Sequence, residues 1–110
     1  MDDISLRELQ ERQPWRDTYS QAFKDSRVPH KNFAHALTHL SKAAGQLSAI
    51  VDDGDHESPL AYFPKEDVAK FVGDLVVCAI RMANTNPTGV IDLQQIVLDR
   101  IAQKTDVRLR

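Results

Sequence analysis

Residues 32–51, NFAHALTHLSKAAGQLSAIV, decide the fold. When each residue turns 100°, Phe33, Leu37, Leu40, Ala44, Leu47 and Val51 fall within one narrow sector, with Ala36 and Ile50 on its flank. That is the period of a helix with one buried side. The stripe stops at Asp52, Asp53 and Gly54, where glycine is the expected breaker. Working outward, residues 54–64 (GDHESPLAYFP) read as a loop, and a second strong helix is predicted from about Lys65 to Asn84. Glu66 and Asp67 occupy its first turn, where the helix dipole favours anions. Its apolar side is predicted to carry Val68, Phe71, Val72, Leu75, Val76, Ala79, Ile80 and Ala83. Residues 85–90 (TNPTGV) form a turn-rich break. Asp92 with Gln95 then makes a capping box and Ile91 with Ile96 a hydrophobic staple. The final helix runs to about Lys104 and is expected to bury Leu93, Ile96, Val97 and Ile101.

Upstream, residues 24–31 (KDSRVPHK) are polar, contain Pro29 and read as a loop. Residues 14–23 form a short helical piece with Trp15, Tyr19 and Phe23 at spacing i, i+4, i+8, a stripe that suits a core or interface better than base stacking. Residues 2–13 open with two helix-start signals, Ser5 and Glu8 as a capping box and Ile4 and Leu9 as a staple, and Pro14 ends or kinks this first helix or opens a second as its first residue. No strand-like alternation, internal repeat or low-complexity run is present. The fold class is therefore all-α: an antiparallel helical bundle of about four to five helices.

The chain has 110 residues, which favours one domain over residues 1–110. Lys and Arg number 14 against 16 Asp and Glu, a formal net charge of −2 that argues against DNA and membrane surfaces. A single cysteine precludes an internal disulfide and suits a reducing compartment, here read as cytoplasmic. Residues 1–9 (MDDISLREL) show no basic, then apolar, signal pattern, and no window is apolar enough to span a membrane. The two long helices are more apolar than the short flanking pieces can cover, so a homodimer or homotetramer is expected.

The order of pieces resembles the MazG-like branch of the all-α nucleoside triphosphate pyrophosphatases. The likeness covers about residues 29–105. It is carried by Lys31-Asn32, Gly45 with Leu47, Gly73-Asp74-Leu75, Arg81 with Ala83-Asn84, and Ile91-Asp92-Leu93. The resemblance implies hydrolysis of nucleoside triphosphates to monophosphate and pyrophosphate at Mg²⁺ held by carboxylates of an E-E-x-x-E then E-x-x-D pattern. Here the chain departs from the family. The first three carboxylate positions fall on Lys42, Ala43 and Gln46, the fourth on Phe71, and only the aspartate remains, as Asp74. The asparagine of the family's K-x-x-N-like ending falls on Lys104 or Thr105. One carboxylate holds a hard dication poorly, and a cation at Lys42 repels it.

Other residues line the same flank. His35 and His39 stand four apart beside Lys42 and Gln46, a spacing that suits either transition-metal chelation or ordinary polar residues beside a core. His39 and Asp74 are the candidate metal ligands, and Mg²⁺ is implied only if the family activity persists. Lys70, Asp74 and Arg81 share one side of their helix, where Lys70 is placed to pair with Asp74 and the cations to meet a phosphate. The alternative is a solvated polar face. Cys78 reads as a small buried hydrophobe, and residues 52–57 (DDGDHE) as a solvated acidic loop without EF-hand order. The expected function is a MazG-like protein that has lost catalysis and serves as a nucleotide-binding or regulatory homo-oligomer. The alternatives are an active pyrophosphohydrolase with a rearranged site and a structural interaction module.

Overall fold

The computed structural model describes residues 3–13, 29–56 and 63–105. Every regular element among them is a helix: α1 (Leu6–Arg12), α2 (Pro29–His56), α3 (Lys65–Thr85) and α4 (Leu93–Thr105). The all-α class predicted from periodicity is what the described residues adopt. The short helix expected over residues 14–23, with Trp15, Tyr19 and Phe23, falls outside the described residues, as does Glu57 of the acidic stretch. No described helix is long and apolar enough to cross a membrane. The chain divides into two compact units, one of residues 1–33 with 80–110 and the other of residues 34–79.

The 34–79 unit contains most of the two long helices. Helix α2 is longer than its apolar stripe suggests, starting at Pro29 and continuing to His56. The loops expected over 24–31 and 54–64 therefore each lose three residues to the helix. Proline lacks only a donor that the first helical turn leaves unused, so Pro29 opens the helix instead of blocking it. Glycine costs about 1 kcal/mol relative to alanine in a helix, too little at Gly54 to stop a helix already propagating. Mid-helix hydroxyls are accommodated locally, Thr38 Oγ1 donating to the Ala34 carbonyl and Ser48 Oγ to that of Ala44, both at 3.0 Å.

The buried side of α2 is rotated from the predicted one. Ala36 and Ala43 are fully buried, Leu40, Leu47 and Ile50 are half-buried, and Leu37 and Val51 stay exposed. On α3 the inward line within this unit is Phe71, Leu75 and Cys78, with Val72 and Val76 exposed. The physical reason is that the apolar sector of each helix is wider than one buried line. Small side chains let backbones come close, so the alanines and the cysteine go in and the larger Leu37, Val51, Val72 and Val76 are left on the shoulder. Cys78 is buried at 4% exposure, in keeping with its reading as a small hydrophobe.

The other unit is built around α1 and α4, which pack together. Both open with caps read from sequence, but the boxes are only half closed. Ser5 Oγ accepts from the Glu8 amide at 3.1 Å, and Asp92 Oδ1 from the Gln95 amide at 3.2 Å. The reciprocal arms go elsewhere. Glu8 Oε1 accepts from the Ser5 hydroxyl at 3.4 Å, and Gln95 Nε2 donates to Asp99 Oδ1 at 2.9 Å. Ile4, Ile91 and Ile96 are exposed, so neither staple buries its members fully, and Val97 is exposed as well. Between α3 and α4 the chain turns at Asn86-Pro87-Thr88-Gly89, closed by the Gly89 amide donating to the Asn86 carbonyl at 3.0 Å. Gly89 has φ of +133°, a conformation open to glycine and strained for any L side chain. The Ile91 amide then donates to the Ala83 carbonyl at 3.0 Å, satisfying an orphan acceptor of the last turn of α3.

Candidate functional site

Helix α1 has only 7 residues, well below the length at which a helix is stable in water by itself. Side-chain amides from distant parts of the chain supply what it lacks. The Arg7 amide, an orphan donor of its first turn, is capped by Gln94 Oε1 at 3.0 Å. In return, Gln10 Oε1 accepts from the Leu93 amide at 3.0 Å, an orphan donor of α4. The two helices thus cap each other. Gln10 is 7% exposed, and its amide nitrogen donates to the Ile91 carbonyl and, at 3.1 Å, to Asn84 Oδ1. Asn84 Nδ2 donates to the Gln10 carbonyl and to Gln13 Oε1, both at 3.0 Å, closing the last turn of α1. Asp92 does two jobs: Oδ1 caps α4, while Oδ2 pairs with Arg7 Nη2 at 2.9 Å.

A cavity of about 390 Å³ opens beside this clamp, lined among others by Arg7, Glu11, Asn84, Val90 and Asp92. Its polar lining is already largely committed, Arg7 to Asp92 and Asn84 to α1, so the cavity is a by-product of how α1 is held. The stretches Arg81-x-Ala83-Asn84 and Ile91-Asp92-Leu93, which carry the family resemblance, thereby acquire a structural role as the receptor for α1. Gln10, Gln94 and Arg7 were not singled out by sequence reasoning. Their only local signal is a polar residue, Gln10, in an amphipathic helix, and their partners lie 74 to 87 residues away.

The polar flank of α2 belongs to the 34–79 unit. His35 is half-buried, and His39, Lys42 and Gln46 are exposed. Of these, His35 and His39 are brought into contact: their Nε2 atoms stand 3.1 Å apart, with ring centroids at 4.6 Å and planes at 88°. Helix α3 carries Lys70 and Asp74, both exposed, and half-buried Arg81 further along. Among the described residues no ion pair joins Lys70 to Asp74. The Lys70 amine lies instead 5.5 Å from the centre of the Phe71 ring. Among the described residues no three of His, Cys, Asp and Glu converge.

The five acidic positions of the resembled pattern can be tested on their chemistry. Lys42 is an exposed cation, Gln46 an exposed amide, Phe71 a half-buried ring and Asp74 an exposed carboxylate, while Ala43 is buried at 3% exposure. A single carboxylate beside a cation and two hydrocarbon groups does not suit a hard dication that wants several oxygen ligands. Set against protein-family models, curated proteins and solved structures, the chain matches none.

Proposed function

We propose that this chain is a MazG-like helical protein that has lost pyrophosphohydrolase catalysis and acts as a nucleotide-binding or regulatory homo-oligomer. The observation that carries the reading is the state of residue 43. In the resembled pattern a carboxylate belongs there, and here a methyl group is buried at 3% exposure. A carboxylate placed at this point would be desolvated without a partner, so the position supports packing and not metal chemistry. Lys42 and Lys70, both exposed in the 34–79 unit, supply cations to the phosphates of a nucleotide, through charge-assisted donors and with no metal between. Self-association is supported by Leu37, Val51, Val72 and Val76, which are 43% to 46% exposed in the single chain. The same residues favour one second reading, an interaction module that covers them with a different protein.

The experiment is a thermal-shift screen against ribo- and deoxyribonucleoside triphosphates, with and without Mg²⁺, beside sedimentation velocity on the free protein. Selective binding to the folded state raises Tm by mass action whether or not catalysis occurs. A shift with one nucleotide that does not need Mg²⁺, in a dimer or tetramer, is the expected result. Mg²⁺-dependent release of pyrophosphate, abolished by Asp74→Ala, would replace this reading with an active enzyme. No shift with any nucleotide would leave the interaction module.

A further inference from the structure

The two imidazoles of α2 offer a site that needs neither a nucleotide nor Mg²⁺. We propose that His35 and His39 form a bidentate site for a borderline divalent transition-metal cation of the Zn²⁺, Ni²⁺ and Cu²⁺ group. The argument begins with the backbone. One helical turn brings residues i and i+4 to the same flank, and here the two rings bring the same nitrogen, Nε2, within 3.1 Å of each other. The separation of 3.1 Å is that of a hydrogen bond when one Nε2 keeps its proton and the other accepts it. It is also the bite of a chelate. With metal–nitrogen bonds of about 2.0–2.1 Å, two ligand nitrogens stand about 2.9 Å apart at a right angle and about 3.4 Å apart at the tetrahedral angle. The observed spacing lies between these limits, so a cation can replace the shared proton once each ring turns its Nε2 lone pair off the N–N line and toward the metal.

Burial divides the labour between the rings. His35 is half-buried and its Nδ1 is a buried atom, so protein surrounds the far edge of that ring and fixes its orientation. His39 is exposed, which leaves an approach from water and open coordination positions on the metal. Since no third His, Cys, Asp or Glu converges among the described residues, those positions fall to water or to a second copy of the chain. Neutral nitrogen donors without a carboxylate select against Mg²⁺ and Ca²⁺, which take oxygen ligands, and for metals that favour imidazole. Lys42, one turn beyond His39, and Lys31, one turn before His35, add positive charge and keep the affinity moderate.

The test uses the full chain in phosphate-free buffer without nucleotide, so its outcome is independent of the reading above. Zn²⁺ and Ni²⁺ are titrated while Tm is followed, with Mg²⁺ at equal concentration as the comparison and ¹⁵N spectra of the imidazole rings as the direct readout. The expected result is a rise in Tm with Zn²⁺ and Ni²⁺ but not Mg²⁺, and joint movement of the His35 and His39 ring resonances. Removing one arm of a chelate turns an intramolecular contact into none, so His39→Gln lowers the affinity at least about tenfold. His39 is exposed, so this variant keeps its fold even where His35→Gln does not. His30→Gln and His56→Gln are expected to leave the affinity unchanged. No rise with either metal overturns the proposal. So does a rise that persists in the His35→Gln, His39→Gln double variant, or movement confined to the rings of His30 or His56.

Discussion

Gln10 and Asn84 exchange amide hydrogen bonds across 74 residues of chain: Gln10 Nε2 donates to Asn84 Oδ1, and Asn84 Nδ2 donates back to the Gln10 carbonyl. Because Gln10 also serves the Ile91 carbonyl and the Leu93 amide, one buried side chain ties together the end of α1, the end of α3 and the start of α4. A buried amide with its donors and acceptor satisfied specifies one docking geometry, since any slip leaves main-chain groups unpaired.

Gln10→Ala is therefore expected to destabilise the protein by about 1–3 kcal/mol, because it orphans the Leu93 amide and the Ile91 carbonyl. Chemical denaturation measures the loss. Hydrogen exchange should show the Leu93 amide losing protection first. An effect near zero would mean that α1 is not held through this side chain.

Asn84→Asp keeps the shape and removes both donors, setting a carboxylate oxygen against the Gln10 carbonyl and Gln13 Oε1. It should cost about as much as Gln10→Ala. Since the two residues contact each other, the double variant should lose less than the sum of the singles, with a coupling of about 0.5–3 kcal/mol in a double-mutant cycle.

Arg7 and Asp92 form an ion pair whose members are 45% and 52% exposed. Arg7→Ala should cost less than about 1 kcal/mol and lose most of that effect in high salt. Asp92→Ala should cost about 1 kcal/mol more, because it also removes the cap of α4. Equal losses for the two variants would show that the cap contributes nothing.

At Gly89 an added Cβ would meet nothing within 4 Å, so any penalty for Gly89→Ala is one of backbone conformation alone. At φ of +133° that penalty is about 1–3 kcal/mol, read as a lower denaturation midpoint with unchanged slope.

The exposed pair Val72 and Val76 lie one turn apart on α3. If a second copy covers them, Val72→Glu with Val76→Glu should shift the sedimentation profile to the monomer while helical content by circular dichroism is kept. A chain that is monomeric before substitution would refute self-association.

Much of this was written locally. The period of residues 32–51 and 65–84 determined two long helices, Ser5 and Asp92 determined where α1 and α4 begin, and Asn86-Pro87 with Gly89 determined the turn between α3 and α4. Each of these depends on interactions within a few residues, which is why a linear reading finds them. The same logic placed His35 and His39 on one flank, since four residues make one turn. It could not say that both would present Nε2, because ring rotation is decided by what surrounds each ring.

Tertiary structure decided the rest. Leu37 and Ala36 are neighbours in an apolar sector, and nothing in the sequence tells which one goes inside; close packing selected the smaller. Gly54 failed to stop α2 because a long helix carries its own cooperativity past a weak breaker. Above all, the sequence of α1 holds no sign that Gln10 is its anchor. Its partners become neighbours only once the chain has folded back on itself, and a hydrogen bond acts over three ångströms of space whatever the distance along the chain.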